Sequence, residues 1–94
     1  MRLQEKEVSA IRSILLGADP GGKIFIFGSR ADDALKGGDI DIFLEASTPI
    51  DLRSRLMLEH HLAVECDTKI DLLVKNPNDS ERLFFSIARQ GCAL

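Results

Sequence analysis

The sequence predicts an α/β domain of the α+β type, a small sheet packed with helices, and three observations carry that expectation. Helical and extended patterns alternate along the chain, the breaks between them are short, and the extended runs are rich in Ile, Phe and Leu. Ninety-four residues suffice for one domain and not for two, so residues 1–94 are expected to form a single unit. Apolar residues make up 45% of the chain and charged residues 29%, which supports both a core and a hydrated surface. A disordered chain has the opposite balance.

Residues 3–16 read as an amphipathic helix. Val8, Ile11, Ile14 and Leu15 recur at helical spacing, with Gln4, Glu5, Lys6, Glu7 and Arg12 at the other positions. Gly17 and the run Asp19-Pro20-Gly21-Gly22 should end it. Lys23–Phe27 is a β-branched and aromatic run bounded by glycine, the pattern of a strand buried on both faces. Gly28-Ser29-Arg30 follows, and 31–35 could form a helical turn or two before Gly37-Gly38 breaks the chain.

A second strand is expected over 39–44. Thr48 then reads as an N-cap, with Pro49 at the first helical position and Asp51 three residues after the cap, for a helix reaching about Leu62. The third strand is expected over 69–74 and should end at Asn76-Pro77. Asn78 and Glu81 resemble another capping box, and a last helix near 79–90 should bury Leu83, Phe84, Ile87 and Ala88, with Gly91 closing it.

A net charge of −3 opposes binding to duplex nucleic acid, which needs clustered Lys and Arg. Five Phe with no Trp or Tyr make a poor stacking platform for single strands, so no strong nucleic-acid binding is expected of the chain by itself. A nucleotide is not excluded, because a local pocket with bound metal can hold a triphosphate whatever the overall charge. Cys66 and Cys92 lack zinc-ligand spacing and are expected to be free, buried thiols. The first twenty residues lack the continuous apolar run of a signal peptide, and no stretch nears the about 20 apolar residues of a membrane span. The cytoplasm is the expected compartment, with no membrane partner.

Three aspartates interrupt otherwise apolar strands. Asp39, Asp41 and Phe43 share one strand face, opposite Ile40, Ile42 and Leu44, while Asp71 shares its face with Lys69 and Leu73. If the two strands pair, three carboxylates converge on one patch. Asp is disfavoured in strands and adjacent carboxylates repel, so a divalent cation is the economical resolution. A single such Asp would be read as solvent-facing. An Asp-x-Asp pair with a third Asp between Ile70 and Leu72 is better read as a site. Gly28-Ser29 lets the backbone approach a ligand closely, and Ser29 adds a hydroxyl donor for phosphate.

Phe27-Gly28-Ser29, nine intervening residues, and then Asp39-Ile40-Asp41-Ile42 resemble the defining motif of the nucleotidyltransferase superfamily, the DNA polymerase β-like fold with its small mixed sheet. Ile70-Asp71-Leu72 matches that family's third carboxylate. By length the chain is similar to the stand-alone minimal nucleotidyltransferases, many of them antitoxins paired with a HEPN-domain toxin. A departure is Gly38, where relatives often carry Ser.

The resemblance implies that Gly28 and Ser29 hold the triphosphate, with the adjoining Arg30 a further nucleotide-binding candidate, and that Asp39, Asp41 and Asp71 form the catalytic, metal-binding set. Two Mg²⁺ ions, replaceable by Mn²⁺, are the implied cofactors. The implied reaction is transfer of a nucleotidyl group, AMP from ATP or another NTP, to a hydroxyl such as a tyrosine of a HEPN partner, within a homo- or hetero-oligomer. The alternative is a non-catalytic nucleotide-binding antitoxin acting by contact, or a half-enzyme that needs its partner to complete the pocket.

Among the other charged residues, Arg30 suits a phosphate or an exposed position equally, and Lys69 is placed to neutralise Asp71. His60-His61 point apart on a helix and read as surface residues near its C-terminus; Glu45 reads as solvated.

Overall fold

A computed structural model describes residues 2–31 and 38–94. The element order is α1 (Glu5–Ala18), β1 (Lys23–Phe27), a 3₁₀ turn (Gly28–Ala31), β2 (Ile40–Glu45), α2 (Leu52–Cys66), β3 (Ile70–Lys75), α3 (Leu83–Arg89) and β4 (Cys92–Ala93). The strands form one mixed sheet in the order β3-β2-β1-β4. β1 runs antiparallel to both β2 and β4, and β2 runs parallel to β3 through the α2 crossover. The α+β expectation therefore holds. Among the described residues no helix is long and apolar enough to cross a membrane. The expected turn at 31–35 falls largely outside the described residues.

Strand alternation divides the molecule into two apolar layers. Ile24, Ile26, Ile40, Ile42, Leu44, Ile70 and Leu72 face Ile11 and Leu15 of α1 and Leu62 and Cys66 of α2 in the main core. The opposite face carries Phe25, Phe27, Phe43 and Leu73, covered by Phe85 and Ala88 of α3. The Phe25, Phe43 and Phe85 rings stack in a row, with centroids 5.8 and 5.6 Å apart. Among the described residues this second layer is thin and covers only part of the sheet. The acidic residues lie where it ends.

Several boundaries differ from the sequence expectation, each for a traceable reason. α1 starts at Glu5 and continues through Gly17 to Ala18, because Glu7 folds back to accept the Gln4 N–H at 2.8 Å and Asp19 closes the far end on the Leu15 carbonyl. Glu7, expected on the polar face, is thereby buried. α2 is capped by Asp51 and not Thr48. The Asn76 side chain accepts the Ile50 N–H and donates to the Ile50 carbonyl, which holds that residue out of the helical path. The Asp51 carboxylate then accepts the Ser54 N–H, and α2 runs on to Cys66, past the expected end at Leu62.

Asn76 and Asp79 likewise form a turn with each other, so no capping box forms at Asn78, and the last helix shrinks to seven residues. Its buried residues are Phe85 and Ala88, while Leu83, Phe84 and Ile87 are exposed; the expected face was wrong except at Ala88. The two-residue strand β4 was not anticipated. Cys66 is a buried free thiol as expected, but Cys92 is half-buried.

Candidate active site

β2 is the central element of the site. In register, Asp41 lies between Phe27 of β1 and Asp71 of β3, so the two aspartates are direct neighbours on the α3 face of the sheet. Asp39 sits one residue before β2 rather than within it, and its half-exposed carboxylate lies 3.8 Å from the Lys69 ammonium. Lys69, expected to neutralise Asp71, has Asp39 as its ion-pair partner.

The electrostatics of the cluster are those of charges held together against repulsion. Burial pushes the Asp41 carboxyl above its ordinary value, and the Asp71 charge, a side-chain hydrogen bond to Asp71 and the Asp39 charge push it further the same way. Lys69 offsets only part of this. Both other predicted carboxylates, Asp39 and Asp71, are thus close enough to be felt at Asp41.

Among the described residues, no three acidic, His or Cys side chains are drawn tightly enough to form a finished cation cage. What the cluster offers is a carboxylate pair with a third acid beside it. That is the donor set of a hard cation which takes its remaining oxygens from phosphate or water. On the chemistry of these donors, Mg²⁺ fits.

Gly28 stands against this pair. Its φ of +71° is one that side-chain-bearing residues rarely adopt, and a Cβ there would collide with Asp41 Oδ2. The strand-to-turn corner therefore brings bare backbone onto the carboxylate. Ser29 belongs to that turn.

Arg30, read as suited equally to a phosphate or an exposed position, has its guanidinium on backbone carbonyls. Its Nη1 donates to the Arg2 carbonyl and its Nη2 to the Gly38 carbonyl, both at 3.0 Å, and Glu7 Oε1 lies 3.7 Å from Nη1. Glu45, expected to be solvated, accepts from Arg89 Nη2 at 2.9 Å. His60 and His61 lie within α2 away from the acids, lining an apolar groove of about 1030 Å³ with Leu56, Met57 and Val64.

Three residues that sequence reasoning missed help to hold the site or its frame. Thr68 donates to the Gly38 carbonyl at 2.7 Å, fixing the residue before Asp39. Asp19, fully buried, accepts hydrogen bonds from the Ser47 N–H and hydroxyl and so ties the α1–β1 loop to the end of β2. Burial pushes its carboxyl up, yet the Ser47, Thr48 and Gly21 bonds outweigh that and hold it below its ordinary value. These contacts join residues about 30 positions apart, with no local signature.

Comparison with known proteins agrees with this geometry. The profile of the family described as "Polymerase beta, Nucleotidyltransferase" matches residues 10–94. No curated protein sequence matches the chain. Among solved structures, a toxin–antitoxin complex, MntA–HepT, superposes with a TM-score of 0.73 at 24% identity, over 96% of this chain and 70% of that one. A Y104A mutant of the MntA complex gives 0.76 at 26% identity, over 98% and 72%. A toxin–antitoxin structure with AMP-PNP gives 0.63 at 28%, over 77% and 57%. With Asp41 and Asp71 paired on one sheet face beside Gly28 and the family profile spanning nearly the whole chain, the protein belongs to the polymerase β nucleotidyltransferase family, as a minimal nucleotidyltransferase.

Proposed function

We propose that this chain is a metal-dependent nucleotidyltransferase that acts as the antitoxin of a toxin–antitoxin pair, moving AMP from ATP to a hydroxyl, a tyrosine of a HEPN-type toxin being the acceptor. The observation that carries the reading is the Asp41–Asp71 pair, with Asp39 beside it and Gly28 backbone against it. Asp39, Asp41 and Asp71 would hold Mg²⁺, while Gly28 and Ser29 would receive the triphosphate. Bound there, two divalent ions would stabilise the attacking and departing oxygens of an in-line displacement.

The chain's own residues do the rest. Asp71, the more exposed of the pair, would accept the proton of the acceptor hydroxyl. That oxygen bonds to the α-phosphorus as the bond to the bridging oxygen breaks, and pyrophosphate departs. A docked partner would supply the orientation of the acceptor. Orientation alone lowers a barrier by about 7–11 kcal/mol in favourable intramolecular cases.

The toxin–antitoxin part rests on likeness to the solved complexes, one of them with AMP-PNP. A second reading, neutralisation by contact alone, is favoured by one observation. The outer face of α2, which packs on the sheet face opposite Asp41 and Asp71, exposes Leu52, Leu56, Met57 and Val64. The experiment is co-purification with the partner toxin, followed by intact-mass measurement before and after ATP and Mg²⁺. Wild type should add nucleotidyl mass to the toxin; Asp41→Asn and Asp71→Asn should bind the toxin equally well and add none. Full neutralisation by wild type with no added mass would replace the enzymatic reading with the contact one.

A further inference from the structure

The guanidinium of Arg30 is spent on backbone, and the identity of that backbone is informative. Nη2 donates to the carbonyl of Gly38, the residue directly before Asp39. Thr68 Oγ1 donates to the same oxygen. A carbonyl and the following N–H belong to one rigid peptide plane. Two donors on the Gly38 oxygen therefore fix the plane from which the Asp39 side chain springs. The next residue is held as well, since the Ile40 N–H donates to the Lys69 carbonyl at 3.0 Å.

Arg30 is itself anchored from the opposite side. The Arg2 N–H donates to the Arg30 carbonyl at 2.8 Å, and Arg30 Nη1 returns a bond to the Arg2 carbonyl. Glu7, buried while capping α1, puts a negative charge 3.7 Å from the same nitrogen. The side chain is only 15% exposed. One N–H, Arg30 Nε, is buried with no partner among the described residues. Leaving a buried donor unmatched is costly, so simple stabilisation is a weak reason for an arginine here. A Gly38 side chain is not the target either, since a Cβ at that position would meet open space.

The geometry points to Arg30 and Thr68 as a two-donor clamp that positions Asp39 for the divalent cation, with Arg30 a positioning residue and not a phosphate ligand. The inference rests on the proposed function for the identity of the ligand, and only there. It assigns the charge of Arg30 to holding the residue before Asp39, so that the 3₁₀ turn and the α2–β3 turn meet at one oxygen.

The test uses Arg30→Met, Arg30→Lys and Thr68→Val in the full chain. Three quantities are measured: affinity for a non-hydrolysable ATP analogue in EDTA, affinity for Mn²⁺ with that analogue present, and amide exchange at Ile40. Partners that orient a metal ligand typically change metal affinity by about 10- to 100-fold. Arg30→Met is expected to weaken Mn²⁺ binding by that order, Thr68→Val by less, and Arg30→Lys to restore part of the loss. Analogue affinity in EDTA should stay within about twofold, and Ile40 exchange should quicken in Arg30→Met and Thr68→Val. Loss of metal-free analogue binding in Arg30→Met would make Arg30 a phosphate ligand and overturn the clamp. So would unchanged Mn²⁺ affinity in Thr68→Val, the variant that keeps Arg30 and serves if Arg30→Met does not fold. If wild type itself binds no Mn²⁺ with the analogue, the proposed function fails, and Ile40 exchange alone decides whether the clamp exists.

Discussion

Asp41 is held where its own charge is unfavourable. Burial and the neighbouring Asp71 and Asp39 raise its folded pKa above the ordinary 3.8, so the folded chain binds a proton more tightly than the unfolded chain does. The stability cost is therefore fully present at pH 7 and is relieved as pH falls through the folded value toward the unfolded one. Without metal, Asp41→Asn should melt higher than wild type at pH 7, and the gap should close by about pH 3–4, near the ordinary carboxylate range. Thermal melts across pH in EDTA measure this. A variant less stable at pH 7 would mean that the carboxylate makes a structural contact worth more than the repulsion. The pairing of Asp41 with Asp71 was legible in the sequence, because strand alternation puts every second residue on one face and both aspartates lie between Ile or Leu neighbours. The roles of Arg30, Thr68 and Asp19 were not, since Thr68 and Asp19 depend on partners 30 and 28 residues away and Arg30 on both Gly38, eight residues on, and Arg2, 28 residues back, with no period in the chain.

α3 shows what an element's pattern can and cannot reveal. Seven residues are too few for a helix to persist alone. Leu83, Phe84, Phe85, Ile87 and Ala88 give apolar residues on almost every side, so periodicity could not choose the buried face. Packing chose it, through Phe85 on Phe43. Charge then holds the helix down: Arg89 lies 5.7 Å above the Phe43 ring and bridges Glu45 of β2 and Glu81 just before α3. The hydrogen bond from Arg89, with a second from Ser86, pulls the Glu81 carboxyl from 4.5 to about 2. A depressed carboxylate stabilises the fold above its unfolded value, and that contribution disappears as pH falls through the folded one. Amide protection in α3 should therefore drop in wild type between pH 4.5 and about 2, the window set by Glu81. Glu81→Gln should show lower protection above pH 4.5 and little further loss below it. Equal pH dependence in the two proteins would remove Glu81 from the account. Leu83, Phe84 and Ile87 remain exposed on the outer side of this helix.

At the scale of the whole molecule, the site and the fold draw on the same residues in opposite senses. The sequence showed alternating elements and hence a layered domain. The order β3-β2-β1-β4, which sets Asp41 beside Asp71 and leaves α3 to cover only part of that face, follows from long-range pairing that no local pattern encodes. That placement makes global stability a reporter of ligation. A ligand that binds only the folded state stabilises it by about 1.4 kcal/mol at tenfold excess over Kd and about 2.7 kcal/mol at a hundredfold. For a domain of this size each kcal/mol moves Tm by about 4–8 °C. Carboxylates supply too few ligands for Mg²⁺ alone, and a triphosphate alone adds charge to an already negative patch. Mg²⁺ with a non-hydrolysable ATP analogue should therefore raise Tm by about 5–10 °C at tenfold saturation, well beyond the sum of the separate shifts. Asp41→Asn should begin above wild type without ligand, gain little from the pair, and finish below it. This reversal of rank is the discriminating outcome, because a purely structural Asp41 would leave the variant on the same side of wild type in both conditions. Additive single shifts in wild type would mean that cation and nucleotide occupy separate sites, and the shared carboxylate cluster would lose its role.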